Sequence, residues 1–377
     1  MMQEADNVPA LLRALRRQGC QRFSLYVCVN HPDDAPHEVV ADNARTLEML
    51  AASGRVGDSE PVILQRVWHG KKRGVGWARK ALFDEIVGQA GDDELVVSLD
   101  ADTDVAPHYL SALLAASNRH PEASACVVPY YHRLVGVEPA DRAILRYELY
   151  MRHYCLGLRL AGSPYAFTAI GSAMAFPAWA YRRVGGITPL QGGEDFYLMQ
   201  KFAKTGSLCY PQGVCVFPSS RPSRRVPFGT GPAVAAGLCA MGARYPFFPL
   251  GAYDALRATY ALFPVLYEGD VETPMSPFLR RQLATDDLWG PLRRTFKSQA
   301  RFIHACHERV DGLRILQYLR TFPQEASAFG DLFPRLGLPR PAAVDFAATP
   351  VPQVDALRNM LFDKEGATAP SNDTPGE

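Results

Sequence analysis

Three acids close an apolar run in Glu94-Leu95-Val96-Val97-Ser98-Leu99-Asp100-Ala101-Asp102-Thr103-Asp104. A run of this length reads as a buried central strand, and the C-terminal end of such a strand is where open α/β sheets bind ligands. In an extended segment residues two apart project to one side, so Asp100 and Asp102 aim at a common point. Two hard oxygen donors with room for water and phosphate oxygens suit Mg²⁺ or Mn²⁺ carrying a diphosphate. Capping of a helix near Pro107 would account for Thr103 or Asp104 but not for two further acids, and Asp-x-Asp alone is too short to decide.

A second group lies one crossover upstream, in His69-Gly70-Lys71-Lys72-Arg73-Gly74-Val75-Gly76-Trp77-Ala78-Arg79-Lys80. The glycines, Gly74 and Gly76 among them, let backbone N–H groups approach a ligand, while the five positive side chains of Lys71, Lys72, Arg73, Arg79 and Lys80 and the coming helix N-terminus attract phosphate. A solvated basic loop is the plainer reading, but its place between two strands favours contact with a nucleoside diphosphate. A third group, Gly192-Gly193-Glu194-Asp195, opens a helix. Acids in a first turn stabilise the helix dipole, and a carboxylate on a rigid helix start is also what a general base for an attacking alcohol needs. Finally, Arg221, Arg224 and Arg225 lie in a Pro- and Ser-rich stretch. They read either as a guanidinium clamp for a departing diphosphate or as a basic linker.

The elements that must position these residues alternate. A helix over about 1–18 is followed by a strand at 23–29, a helix at 38–52, a strand at 62–68 and a helix through Val87. After the acidic strand come a helix at 107–118, a strand at 123–128, a long helix at 141–160 and a helix at 196–204. Asp6 or Asn7 is expected to cap the first helix, with Pro9 in its first turn. The alternation predicts an α/β fold with a Rossmann-like, mostly parallel sheet. From Gly231 onward strand signals fade, and aromatic stretches such as 246–250 and 260–267 lead into helices. Those stretches read as a packed helical subdomain or as a surface for a lipid-linked acceptor or partner enzyme.

Composition sets the bounds. The chain has 377 residues, 47% hydrophobic and 21% charged, which suits a globular protein with a large core. A net charge of +1 implies no bulk polyanion, so nucleic acid is not an expected partner. No apolar run reaches the roughly 20 residues that span a bilayer, and no signal pattern opens the sequence. The expected location is the cytoplasm, with peripheral contact at the inner membrane face the natural variant. The eight cysteines contain no Cys-x-x-Cys pair and read as reduced and structural.

Taken in order, the basic glycine loop, Asp100-Ala101-Asp102-Thr103, Gly171-Ser172-Ala173-Met174-Ala175, Gly185-Gly186 and Gly193-Glu194-Asp195 resemble glycosyltransferase family 2 over about residues 5–217. The resemblance implies the GT-A nucleotide-sugar fold and an inverting transfer, with UDP or GDP as the type of carrier. It implies that Asp102 holds the divalent metal, that Asp100 reaches the ribose or a metal-bound water, and that Lys72 and Arg79 lie beside the nucleotide. Asp195 would take the proton from the acceptor hydroxyl, and Glu194 would bind acceptor or orient that base. Members usually open with a strand ending in Pro-x-x-Asn-Glu; here Gln3-Glu4-Ala5-Asp6-Asn7 reads as its final turn, so that strand is expected to be missing or truncated. The Gln-x-x-Arg-Trp motif and the membrane spans of processive synthases are absent from the sequence, which points to a non-processive, bacterial-type enzyme.

These readings predict a GT-A domain over 1–230, a helical subdomain over 231–362 and a disordered tail over 363–377. The function expected is a metal-dependent hexosyltransfer from a nucleotide diphosphate sugar to a hydroxyl, in cell-surface glycan or glycoconjugate synthesis. Two rivals are a sugar-phosphate nucleotidyltransferase and a non-catalytic GT-A-like scaffold.

Overall fold

A computed structural model of the chain describes residues 1–223, 229–238, 245–325 and 327–366, which fall into two compact units. The first takes the described residues of 1–147, 169–241 and 366–377, and the second those of 148–168 and 242–365. The second unit therefore includes an early segment that a boundary at 231 does not anticipate.

The first unit opens with α1 (Val8–Arg16), β1 (Tyr26–Pro32), α2 (His37–Ala51), β2 (Val62–Trp68) and α3 (Val75–Gln89). Helix α1 buries Val8, Leu11, Leu12 and Leu15, a stripe at helical spacing, and carries Pro9 in its first turn. Asn7 occupies its N-cap position without a capping bond; its amide donates instead to Glu4 Oε2 at 2.6 Å. Strands β1 and β2 pair in parallel from Tyr26 opposite Val62 to Pro32 opposite Trp68. Successive side chains of β1 point to opposite faces: Val27 and Val29 join Leu11, Leu15 and Leu50, while Cys28 joins Leu64 and Ala78. One strand thus anchors helices on both sides.

The chain continues through β3 (Leu95–Ser98), β4 (Asp104–Val105), α4 (Tyr109–Arg119), β5 (Ala123–Val127), α5 (Glu138–Leu160), β6 (Met174–Pro177), α6 (Ala178–Arg183), α7 (Glu194–Thr205), β7 (Ser207–Cys209), β8 (Val216–Phe217) and α8 (Thr230–Leu238). Strands β3, β6, β5 and β7 form one sheet in that order, and β4 pairs with β8. The sheets are small and mixed rather than mostly parallel: β6 runs antiparallel to both β3 and β5, and among the strands of the described residues only β1 with β2 and β5 with β7 pair in parallel. All four residues of β6 are buried, and a fully buried strand reads as a continuous apolar run whichever way it points. Phe176 on β6 sits among Phe83 of α3, Tyr181 of α6 and Phe202 of α7, with ring centroids 5.1–5.5 Å apart, which ties three helices to the sheet. The cysteines among the described residues are free thiols, as expected.

The second unit is helical: α9 (Leu250–Ala261), α10 (Phe263–Glu268), α11 (Ser276–Leu283), α12 (Gly290–Thr295), α13 (Gln299–Arg309), α14 (Gly312–Leu319), α15 (Ala328–Arg335) and α16 (Val351–Lys364). An ion network buried in it joins the part of α5 after Tyr147 to the C-terminal end. Glu148 accepts from Arg152 at 2.5 Å and lies 3.5 Å from Arg358, and Arg152 also pairs with Glu365. Helix α16 therefore passes the expected limit of 362, and Glu365 is packed; residues 367–377 of the expected tail lie outside the described residues. No described helix is long and apolar enough to cross a membrane.

Candidate active site

Arg79, Asp100, Asp102, Glu194, Asp195 and Arg221 come from four segments of the first unit and line one cleft of about 1480 Å³. Its lining includes residues of β1 and β3, which belong to separate sheets, and the apolar side chains of Leu11, Leu82, Phe83 and Val97. Its charged part collects Glu4, Asp100, Asp102, Glu194, Asp195, Arg79 and Arg221.

Strand β3 ends at Ser98, before the acids, and the Thr103 N–H closes a turn onto the Asp100 carbonyl at 3.2 Å. The extended register that would aim Asp100 and Asp102 together is therefore broken, and each carboxylate meets its own arginine. Asp100 Oδ1 accepts from Arg79 Nη2 at 2.6 Å, and Asp102 Oδ2 lies 2.9 Å from Arg221 Nη2. Asp104 is drawn away to Arg133 at 2.6 Å.

Arg79 is the hub. Only 7% exposed on α3, it donates to Asp100 and, through Nη1, to Glu194 at the start of α7. Burial pushes its pKa down, but the carboxylates of Asp100, Glu194 and Asp195 outweigh that and hold it above the ordinary arginine value. The space for it depends on Gly171, where a methyl group would collide with the guanidinium.

Gly193 is the N-cap of α7, and its φ of +78° is a left-handed conformation that glycine adopts without steric cost. That start fixes the acids. Asp195 Oδ1 accepts from the Phe196 N–H at 2.8 Å, while Glu194 is 1% exposed and its Oε2 is buried without a hydrogen-bond partner among the described residues. Burial, with Glu194 alongside, pushes the Asp195 carboxyl up to about 7, against the opposing pull of Arg79.

The basic loop is disposed differently from its neighbours. Gly74 lines the cleft, but Gly74 and Gly76 are also required by packing: a methyl at Gly74 would sit 3.2 Å from Gln191 Cα, and one at Gly76 would strike the Leu190 carbonyl. Lys72 is exposed, its ammonium 5.4 Å over the Trp77 ring, and neither it nor Gly76 lines the cleft. Arg224 and Arg225 lie outside the described residues.

Two groups in the site were not singled out from sequence. Glu4, 6% exposed, accepts from Arg221 Nη2 at 2.5 Å and so stands beside Asp102. Asn30, at the end of β1, holds Met1 O through its side-chain amide and Trp68 Nε1 through its oxygen, at 3.1 and 3.0 Å. The polar turn following β1 was visible in the sequence, but the partners were not.

Residues 1–173 match the family model described as glycosyl transferase family 2. A search of curated proteins found no match. This part of the chain is a glycosyl transferase family 2 domain, and the protein is a glycosyltransferase with a nucleotide-sugar donor.

Proposed function

We propose that this glycosyltransferase moves a hexose from a UDP- or GDP-linked donor to an acceptor hydroxyl in one inverting, metal-dependent displacement, within cell-surface glycan or glycoconjugate synthesis. The observation that carries the reading is the Arg79 bridge. By bonding Asp100 and Glu194 at once, it fastens the turn after β3 to the first residue of α7 and so fixes Asp195 in the same cleft.

Asp195 is suited to the general base. A carboxyl with a pKa pushed up to about 7 is ionised in half its copies near neutral pH and is a far stronger proton acceptor than an ordinary carboxylate. It receives the acceptor proton as the hydroxyl attacks. Glu194, held by Arg79, orients that base and keeps its pKa raised.

Asp102 is the residue that would hold Mg²⁺ or Mn²⁺. Asp102 supplies a carboxylate in the cleft with Asp100 near it in the chain, and a positive group, the Arg221 guanidinium, already sits against Asp102. Among the described residues no cluster of three or more His, Cys, Asp or Glu converges, so such a cation would take its remaining ligands from water and diphosphate, as Mg²⁺ commonly does. When bound, it neutralises charge developing on the leaving diphosphate.

Calorimetric titration of UDP and GDP, with and without Mn²⁺, tests this reading on the full chain and on Asp102→Ala. Metal-dependent binding of one nucleotide, lost in the variant, is the expected result. Absence of binding by either nucleotide with Mn²⁺ present overturns it.

A further inference from the structure

Strands β4 and β8 are antiparallel, with Asp104 opposite Phe217 and Val105 opposite Val216. The chain leaving β8 therefore runs back along the turn that holds Asp102, which brings Arg221 to it from 119 positions further along the sequence, the difference between 221 and 102. The segment is fastened just before the arginine side chain. The Arg221 N–H donates to Ser219 Oγ at 3.2 Å, and Ser220, 7% exposed, donates from Oγ to the Arg133 carbonyl at 3.2 Å. Arg221 Nη2 then lies between two carboxylates, 2.5 Å from Glu4 Oε1 and 2.9 Å from Asp102 Oδ2. Glu4 is steadied in turn by the Asn7 amide.

One cation thus already neutralises Asp102. A divalent ion and a guanidinium on the same carboxylate repel each other, and the like-charge cost is appreciable in a partly buried site. The Arg221 side chain is 37% exposed while that of Glu4 is buried, so the arginine is the member that can swing outward. A guanidinium fork matches diphosphate oxygens as well as it matches carboxylates.

Resting on the reading of Asp102 as the cation ligand, we infer that Arg221 is a latch: it holds Asp102 and Glu4 in the empty enzyme, competes with the divalent cation for Asp102, and transfers to the donor diphosphate when cation and nucleotide enter together. Cation binding is then weak alone and strong with nucleotide.

The test is Mn²⁺ binding without nucleotide, followed by electron paramagnetic resonance, on the wild type, Arg221→Gln, and Arg221→Gln combined with Asp102→Asn. Thermal melts establish that each is folded. UDP and GDP binding with saturating Mn²⁺ is measured on the same proteins. Arg221→Gln is expected to bind Mn²⁺ alone about fivefold more tightly, the factor for an ion pair at the upper end of the exposed range, and to bind the nucleotide about tenfold more weakly. Adding Asp102→Asn should cancel the gain. Unchanged or weaker Mn²⁺ binding in Arg221→Gln overturns the latch while leaving the donor-site reading intact. A gain that survives Asp102→Asn overturns both, because the ion then sits elsewhere. A gain with undiminished nucleotide affinity overturns the transfer to diphosphate.

Discussion

Arg79 and Glu194, 115 residues apart, form a buried ion pair, and the same guanidinium holds Asp100 at 2.6 Å. Three separate stretches of sequence therefore meet on one side chain. Its replacement should be costly in a way that replacing a surface arginine is not, since two carboxylates lose their partner and one is almost fully buried. Arg79→Met is expected to lower stability by about 3–5 kcal/mol in urea denaturation and to reduce kcat with it. Arg79→Lys should recover part of the stability but not the geometry, because an ammonium cannot fork to both acids.

Gly171→Ala tests the same hub from the other side. The added methyl collides with the Arg79 guanidinium and pushes it off its partners while every charge remains present. A fall of about tenfold or more in kcat, with KM for the donor less affected, is the expected outcome of displaced positioning. Unchanged kinetics would mean that the Arg79 bridge does not set the geometry of the site.

What could be read from sequence follows the range of the interactions involved. Asp100, Asp102, Glu194 and Asp195 stand out because short motifs at element ends are local, and the helices and strands up to Trp68 are legible from periodicity, caps and turn residues, although the strand expected at 23–29 runs from Tyr26 to Pro32. The direction of β6 is not legible, because burial on both faces erases the alternation that distinguishes strand environments. Nor is the turn that parts Asp100 from Asp102, since an apolar run does not reveal where its strand stops. Arg79 looked like a ligand for phosphate, as a basic residue at a helix start should. Its two partners lie 21 and 115 residues away, and no single-sequence pattern carries that information. The glycines at 74 and 76 pointed to a close approach, which the structure supplies with the backbone at Leu190 and Gln191.

The helical unit has its own weak point. Glu148, fully buried, is shared by Arg152 and Arg358, both almost completely enclosed. Glu148→Gln leaves two buried guanidinium groups short of compensating charge, and a loss of about 3 kcal/mol is expected, seen as a lower midpoint in chemical denaturation. Glu148→Gln combined with Arg358→Met should lose less than the sum of the single changes, because the second substitution removes one of the stranded charges.

The pH dependence follows from Asp195. Burial, with Glu194 alongside, raises its folded-state pKa to about 7, above the ordinary aspartate value of 3.8. A base must be ionised to act, so kcat/KM should rise with pH and level off above about 7. Glu194→Gln removes a repelling charge and should move that limb to lower pH. Stability runs the opposite way: between 3.8 and about 7 the folded protein holds a proton that the unfolded chain has released, so this group makes the fold less stable as pH rises through that window. Asp195→Asn cannot ionise. It should lose about 10²–10⁴-fold in kcat, the usual contribution of a general base, and melt higher than the wild type at pH 8 but not at pH 4. A variant that loses activity without this pH-selective gain in melting temperature would show that Asp195 carries no raised pKa, and one that keeps its activity would show that the base lies elsewhere.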